Sequence, residues 1–349
     1  MKTLILSLLL LLISAVSCKT DDSDISDKIA AYDVYVGGVD EFHACYWKNG
    51  HKVLLPGGEN LQGTYIAVDN GNVYMIANNI ESLGGNHTVA AWYFWKNGVK
   101  HNVADYLGVP QNTITQPNNI VIHNNMTVRN GDIYFNGIIK NPVPTSASDQ
   151  YLFCSWKNGV KTVLETNENP TGLGLGSYGF FNNDIYISKR YFGTPGNLTN
   201  WEVGFYKNNS YHFLANNLLP RKFISDNSVL YLSLIDINKN FYLKNVITNS
   251  NVTIPANISQ SGITDFSLDG SDKYYIGNNF YYLNNNLFTI NDPDGFNSIR
   301  HFLAKDQNIY MTRTKNSMVK FYINNVEIMS LPDTARGCFN SIFVVPNSL

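Results

Sequence analysis

The sequence predicts an all-β chain, a seven-bladed β-propeller, on three observations. A short aromatic hairpin segment recurs along the whole length. A second segment recurs upstream of it. The two ends of the chain carry complementary fragments of one further unit. The first segment is Tyr46-Trp47-Lys48-Asn49-Gly50, and Trp95-Lys96-Asn97-Gly98 and Trp156-Lys157-Asn158-Gly159 repeat it almost letter for letter. Worn copies are Tyr206-Lys207-Asn208-Asn209, Leu243-Lys244-Asn245-Val246, Tyr282-Leu283-Asn284-Asn285 and Tyr322-Ile323-Asn324-Asn325, at steps of 48, 61, 50, 37, 39 and 40 residues. Repetition at such a period marks stacked supersecondary units. Asn-Gly tolerates the positive φ angles of the type I′ turn, whose twist matches two antiparallel strands. Each copy therefore reads as a hairpin, with the Trp closing its first strand.

The second segment is a polar turn, an apolar residue and a Tyr. It reads Asp69-Asn70-Gly71-Asn72-Val73-Tyr74 and Arg129-Asn130-Gly131-Asp132-Ile133-Tyr134, with weaker versions ending at Tyr186, Tyr231, Tyr274 and Tyr310. Two hairpins in succession give four antiparallel strands, A to D, which is one propeller blade. Blade one spans Tyr65 to Ala104, blade two Ile120 to Leu164, and blade three Tyr178 to Leu214. Blade four spans Lys222 to Ile254, blade five Ile263 to Ile290, and blade six Ile299 to Leu331. Ala31 to Leu55 supplies strands B, C and D without an A, and Phe339 to Val345 supplies a lone strand. Together they complete a seventh blade and tie the ends of the ring. Blades four and five are faint in sequence, so six or eight blades are the alternatives.

The chain begins Met1-Lys2-Thr3, and Leu4 to Val16 is apolar apart from Ser7 and Ser14. This is the h-region of a signal peptide, too short to span a membrane as a helix. It ends at Ala15-Val16-Ser17-Cys18, which resembles the lipobox of bacterial lipoproteins, with Ala15 where Leu is usual. The resemblance implies cleavage before Cys18 and lipidation of that residue. An ordinary secretory signal is the alternative. Lys19-Thr20-Asp21-Asp22-Ser23-Asp24 follows as a polar tether. It resembles the acidic tag of surface-displayed lipoproteins in Sus-type nutrient systems. The expected organisation is thus residues 1–17 as signal, 18–28 as tether and 29–349 as propeller. The expected location is the outer membrane, lipid-anchored and facing outward, with the periplasmic face as the alternative. More than one acyl chain on Cys18 would anchor stably.

Composition agrees with short strands and tight turns: 22 Tyr, 19 Phe and 26 Gly, with only 15% charged residues. The net charge of -2 and the lack of a basic stripe argue against a nucleic-acid partner. After Cys18 only Cys45, Cys154 and Cys338 remain, an odd number that fits buried thiols better than a disulfide framework.

No catalytic or metal signature stands out. The seven His form no zinc-type cluster, and no cofactor is expected. Asp292-Pro293-Asp294-Gly295 hints at a calcium loop but lacks further acidic ligands, so a plain turn is expected. Gly172-Leu173-Gly174-Leu175-Gly176 reads as a flexible loop between blades. Asp265 and Arg300, on A strands, are placed to face the central channel. Glu residues are few, and the Asp-box of sialidase propellers is absent. Asp333-Thr334-Ala335 matches a short bacterial O-glycosylation pattern of little specificity.

The loops carry the functional expectation. Long B–C loops are read at Asn78 to Thr88, Lys140 to Gln150 and Arg190 to Asn200. Long connections between blades are read at Pro56 to Gly63, Asp105 to Asn118 and Thr166 to Gly176. All six emerge on one face, over blades one to three, and one-sided elaboration of a repeat fold marks a binding face. Tyr191, Phe192 and Trp201, with His87 and Trp92 close by, are the candidate ligand-binding residues, as rings that stack on sugars or fill a partner's pockets. The bland reading is that these rings pack the loops down, as Trp47, Trp95 and Trp156 of the repeats are expected to pack their blades.

Across the mature chain the pattern resembles the propeller repeat lipoproteins. The expectation is a monomeric envelope binding protein that recognises a glycan or protein ligand without catalysis. The alternatives are a polysaccharide-acting propeller enzyme and a scaffold subunit of an envelope complex.

Overall fold

A computed structural model describes residues 31–79, 92–109, 120–122, 126–168, 173–192, 201–226, 228–333 and 337–347. Its strands form seven antiparallel sheets, each of four strands in the order A-B-C-D, with strand A of blade two in two pieces. Blade one is Leu61–Asp69, Asn72–Asn79, Trp92–Lys96 and Val99–Asn102. Blade two is Ile120–Ile122 with Thr127–Arg129, then Asp132–Lys140, Tyr151–Lys157 and Val160–Asn167. Blade three is Leu173–Phe181, Asp184–Phe192, Trp201–Lys207 and Ser210–Asn216. Blades four and five, faint in sequence, are complete: Leu219–Ser225, Leu230–Ile235, Phe241–Asn245 and Ser250–Asn251, then Asp265–Asp269, Asp272–Ile276, Phe280–Leu283 and Asn286–Thr289. Blade six is Ser298–Lys305, Asn308–Lys315, Met318–Ile323 and Val326–Pro332.

Blade seven closes the ring as the terminal fragments predict. Gly337–Pro346 is its strand A and pairs antiparallel with Tyr32–Asp40, from Tyr32 opposite Pro346 to Asp40 opposite Gly337. His43–Lys48 and His51–Glu59 complete it. The ring therefore has seven blades.

The two recurring segments are parts of one device. The Asn of each aromatic-Lys-Asn copy sits at positive φ, 49° at Asn49, 50° at Asn97 and 51° at Asn158, and the Gly after it near 80°. Both central residues thus have the left-handed backbone of a type I′ turn. That backbone turns the Asn inward onto strand B of its own blade. In blade two, Asn158 N–H donates to the Ile133 carbonyl at 2.8 Å, and Ile133 N–H donates to Asn158 Oδ1 at 2.8 Å. Asn158 Nδ2 donates to Asp132, which also pairs with Lys157 at 2.7 Å. Lys157 lies 5.8 Å from the Tyr134 ring. Asn49, Asn97, Asn208, Asn284 and Asn324 make the same backbone and side-chain bonds. Lys157 holds the Asp132 carboxyl below the usual carboxylate range, and Lys207 does the same for Asp184.

Packing follows from that geometry. There is no single core. The buried apolar residues form seven clusters among the described residues, each straddling one blade–blade interface. Trp47, Trp95 and Trp156 are buried in three of them, so the repeat Trp is structural. Trp95 Nε1 also donates to the Pro56 carbonyl of blade seven at 2.9 Å. Cys45, Cys154 and Cys338 are free and buried. Burial pushes the Cys154 thiol up to about 11, which suits inert space-filling sulfur.

Four expectations about connections need correction. The Pro56 to Gly63 connection is not long: strand D of blade seven runs to Glu59 and the next blade starts at Leu61. Asn60 alone joins them, at φ 58°, with its N–H bonded to the Phe42 carbonyl. The Thr166 to Gly176 connection shrinks to residues 168–172. Leu173 to Gly176 is not a loop but the start of strand A of blade three. Its glycines serve close approach, because a Cβ on Gly176 would lie 2.1 Å from Ser188 Oγ and one on Gly174 would lie 2.8 Å from Arg190 Nε. The Asp105 to Asn118 connection opens inside a helical turn, Val103–Tyr106, capped by Asn102, whose side chain accepts from Asp105 N–H.

Replacing Asn158 by Gly keeps the turn geometry and removes the side-chain bonds to Ile133 and Asp132. It should lower folding stability by about 1–2 kcal/mol, read as a shift of the urea midpoint.

Candidate functional site

Strands A lie innermost: Leu173–Phe181 touches Leu219–Ser225, Asp265–Asp269 touches Ser298–Lys305, and Gly337–Pro346 touches Leu61–Asp69. Serine hydroxyls stitch this inner wall. Ser341 accepts from Ile66 N–H at 3.0 Å, Ser177 from Phe223 N–H at 3.0 Å, and Ser267 from Ala304 N–H at 3.4 Å.

The inner strands share a feature that no sequence period announces. Among the described residues, five of them are irregular at one height. Register shifts fall at Asn340 opposite Gly37 and Gly38, at Thr64, at Gly176-Ser177, at Arg221-Lys222 and at Arg300. In blade five Thr264 sits just before the strand, with its N–H on the Ile276 carbonyl at 2.7 Å. A bulge re-aims its residue out of the regular ladder. The result is an inner rim at the end where strand A enters. The D–A connections arrive there, and the B–C loops share that face.

The rim is uneven. In blades seven, one and three its polar groups serve the ring: Asn340 donates to the Gly63 carbonyl at 2.7 Å, Thr64 to Ile76 at 3.4 Å, and Ser177 accepts as above. In blades four to six the rim is charged. Lys222 pairs with Asp265 at 2.6 Å and Arg300 with Asp333 at 2.5 Å. Arg221 is exposed and donates to the Thr264 carbonyl at 3.4 Å. Asp265 and Arg300 thus stand on the inner rim, each engaged in an ion pair. Beneath them, burial first and then the neighbouring Arg300 push the His301 imidazole down to about 4, with Lys222 adding and Asp265 opposing. His301 Nε2 is buried with no partner among the described residues. Asn136 Oδ1, Ser188 Oγ and Thr312 Oγ1, on strands B at the height of the bulges, are in the same condition.

A second charged constellation occurs twice, three blades apart. At one position of strand B most blades carry Gly38, Ala77, Gly137, Leu234 or Gly277, but blade three carries Lys189 and blade six Arg313. Both are buried, at 8% and 3% exposure. Lys189 pairs with Glu165 of blade two at 2.5 Å, and Tyr206 of strand C donates to the same carboxylate. Arg313 pairs with Asp292 of the preceding connection at 3.7 Å, and Tyr322, the counterpart of Tyr206, donates to it at 2.9 Å. The arginine lies over the Tyr322 ring at 4.1 Å. Burial, followed by the bond to Glu165, pushes the Tyr206 hydroxyl far up, the reverse of what a tyrosine nucleophile needs. These triads bind one blade to the next.

The second triad accounts for the Asp292 to Gly295 turn. Asp292 Oδ1 accepts from Asp294 N–H, its Oδ2 from Tyr322, and Asp294 pairs with Lys320 at 3.3 Å. Its carboxylates are committed to protein partners, as a plain turn requires. No group of three or more metal-ligating side chains occurs among the described residues.

The candidate rings are placed as follows. His87 lies outside the described residues. Tyr191, Phe192 and Trp201 are not on a loop but in a continuing ladder, with Tyr191 opposite Glu202 and Phe192 opposite Trp201. The reason is that these aromatics favour extended backbone, so the strands B and C of blade three run on past Arg190. Trp92 begins strand C of blade one, half-buried against the cluster between blades one and two. Trp92 is therefore not brought together with the charged rim of blades four to six. Sequence reading missed the bulges themselves, Arg221 and Lys222. The adjacent basic pair on an A strand was the one available signal.

Two outcomes test these placements. Glu165→Ala strands the buried Lys189 charge and should cost about 3–5 kcal/mol in chemical denaturation, most of it recovered in a Glu165→Leu, Lys189→Met double variant. His301 has a folded-state pKa below its ordinary value of 6.5, so its contribution is complete above pH 6.5 and is lost as pH falls towards 4. His301→Gln should flatten the stability profile across that window.

No family model and no curated protein matches the chain. Solved structures do match its shape. AztD from Citrobacter koseri is 14% identical, with 90% of this chain and 98% of that chain covered and a TM-score of 0.44. An acylaminoacyl peptidase of Pyrococcus horikoshii is 11% identical over 87% of this chain, with a TM-score of 0.51. A puromycin-hydrolyzing peptidase of Mycobacterium tuberculosis is 9% identical over 88%, with a TM-score of 0.52. The chain spans 51% of each peptidase. At such identities the two peptidase likenesses bear on the propeller fold and on nothing of the chemistry.

Proposed function

We propose that this chain is a ligand-recognising propeller of the cell envelope. It is tethered by lipid on Cys18 to the outer membrane with its ring facing outward, and it binds without catalysis. The observation that carries the recognition reading is the charged inner rim of blades four to six, which opens on the face shared by the B–C loops and D–A connections. Ligands are held by few, convergent polar groups set on a rigid scaffold. The rim offers such groups on strands that seven interface cores hold in place. Lys222, Asp265, Arg300 and Asp333 on the rim are engaged in ion pairs, and the one buried Tyr–carboxylate bond described between blades two and three has its hydroxyl pushed up, so recognition fits these groups better than nucleophilic chemistry. Lipid anchoring and outward display rest on the N-terminal sequence alone.

A scaffold subunit is the second reading. The outer D strands expose paired apolar side chains, Val53 and Leu54, Tyr211 and Phe213, Leu287 and Phe288, and Val326 and Ile328. Exposed apolar edges suit docking to a partner protein.

The test is binding of the chain from Ser23 onward, which keeps every described strand, to a broad glycan panel, with Trp201→Ala in parallel. Specific binding is the expected result, and its loss in the variant would place the ligand at the end of the blade-three ladder. Binding to no glycan, together with stoichiometric crosslinking in intact envelopes, would overturn recognition of a sugar in favour of the scaffold.

A further inference from the structure

The rim bulges occupy equivalent positions, so their residues can be compared directly. Where the neutral ones sit, in blades seven, one and three, every group closes a bond within the ring. The charged arc differs. Arg221, Lys222 and Arg300 face two carboxylates, Asp265 and Asp333, so these described residues carry one net positive charge on a chain whose formal net charge is -2. His301 below it adds none, because burial and the Arg300 and Lys222 charges keep it neutral.

Arg221 is the least committed of these groups. A guanidinium carries five N–H donors in a flat fork. The contact described for Arg221 is one long bond, 3.4 Å, to a backbone carbonyl of the next blade. It is exposed, at a bulge, and beside a lysine already held by Asp265. An exposed arginine with its fork unfilled, on a rigid strand and in a net positive arc, is built to receive a carboxylate through two parallel bonds.

We infer that the inner rim of blades four to six binds a small carboxylate-bearing ligand, with Arg221 as its bidentate anchor and Arg300 as the second cationic contact. This inference rests on the recognition reading above and names the chemistry of its ligand. Arg300 reaches the ligand by sharing or exchanging Asp333, whereas the Lys222–Asp265 pair stays closed and sets the flank of the site. A neutral sugar of the same size lacks the charge that the arc selects.

Titration calorimetry on the chain from Ser23 onward tests it with three probes: galacturonate, glutarate and galactose. The expected result is binding of at least one carboxylate probe, no comparable binding of galactose, and weakening as salt rises. Which acid binds decides whether the carboxylate comes from a sugar or a simple dicarboxylic acid. Arg221→Ala should weaken binding at least about tenfold, and Arg221→Lys, which keeps charge but not the fork, should restore it only in part. Arg221 is exposed, so unchanged melting curves should accompany the loss. Equal affinity for galactose, indifference to Arg221→Ala, or no carboxylate binding would each overturn the inference. If glycans on the broader panel still bind in that case, the recognition reading stands and only the anionic site falls.

Discussion

One asparagine in each of six blades, held in the left-handed conformation, is the constraint on which the rest depends. At Asn49, Asn97, Asn158, Asn208, Asn284 and Asn324 the backbone N–H and the side-chain oxygen bond to the same residue at the start of strand B. The C–D hairpin is thereby clamped onto the A–B hairpin. In several blades the preceding Lys and the acid at the start of strand B complete the clamp, as Lys48 with Asp33 and Lys207 with Asp184. A β-branched or bulky residue at that φ would be strained, and Gly would keep the turn without the clamp. Blade four departs from this pattern: Asn245 accepts from Ile247 and Thr248 instead, and its strand D is reduced to Ser250–Asn251. Val246 N–H keeps the backbone bond to the Leu230 carbonyl at 2.9 Å, and the loss of the side-chain half of the clamp and the shortening of the strand occur together.

Once each blade is a rigid four-stranded sheet, its two faces must be buried against its neighbours, and the molecule becomes a ring of seven interface cores. Polar bonds set the phase of one blade against the next. Asp69 accepts from two successive turn amides of blade two, Asn130 and Gly131, and Asp269 from Asp306 and Gln307 of blade six. Successive N–H groups at positive φ form a concave anion site, and here a neighbouring carboxylate fills it. The Lys189 and Arg313 triads add ionic bonds at two of the seven interfaces. Such pairs are costly to break singly and contribute little net stability as a whole. Their role is better described as specifying which blade faces which.

The same regularity explains where a site arises. Five of the inner strands, those of blades seven, one, three, four and six, bend by a bulge at one height. Bulges that the ring does not use are free to differ. In blades seven, one and three they are spent on inter-blade bonds. In blades four and six they carry charge, joined by Asp265 at the start of blade five's inner strand, towards the face where the connections emerge. Function on a repeat fold lives in such departures from the repeat, and the arc around Arg221 and Arg300 is the clearest departure on the inner wall.

The sequence by itself determined the period, the hairpin chemistry and the way the ends close. All of these are local. Asn-Gly needs positive φ wherever it occurs, and a lone strand at one end answers a missing strand at the other. It also marked the repeat tryptophans as structural. Only the tertiary structure decided what depends on residues far apart. Pairing across the ladder turned Tyr191, Phe192 and Trp201 from a loop into strand ends, and close approach to Ser188 and Arg190 turned the glycines before Tyr178 into strand. The partners of Lys189 and Arg313 lie in neighbouring blades, and the rim joins residues as distant in sequence as Arg221 and Asp333. A bulge leaves no trace in hydrophobic period, because it is a property of register between two strands and not of either one.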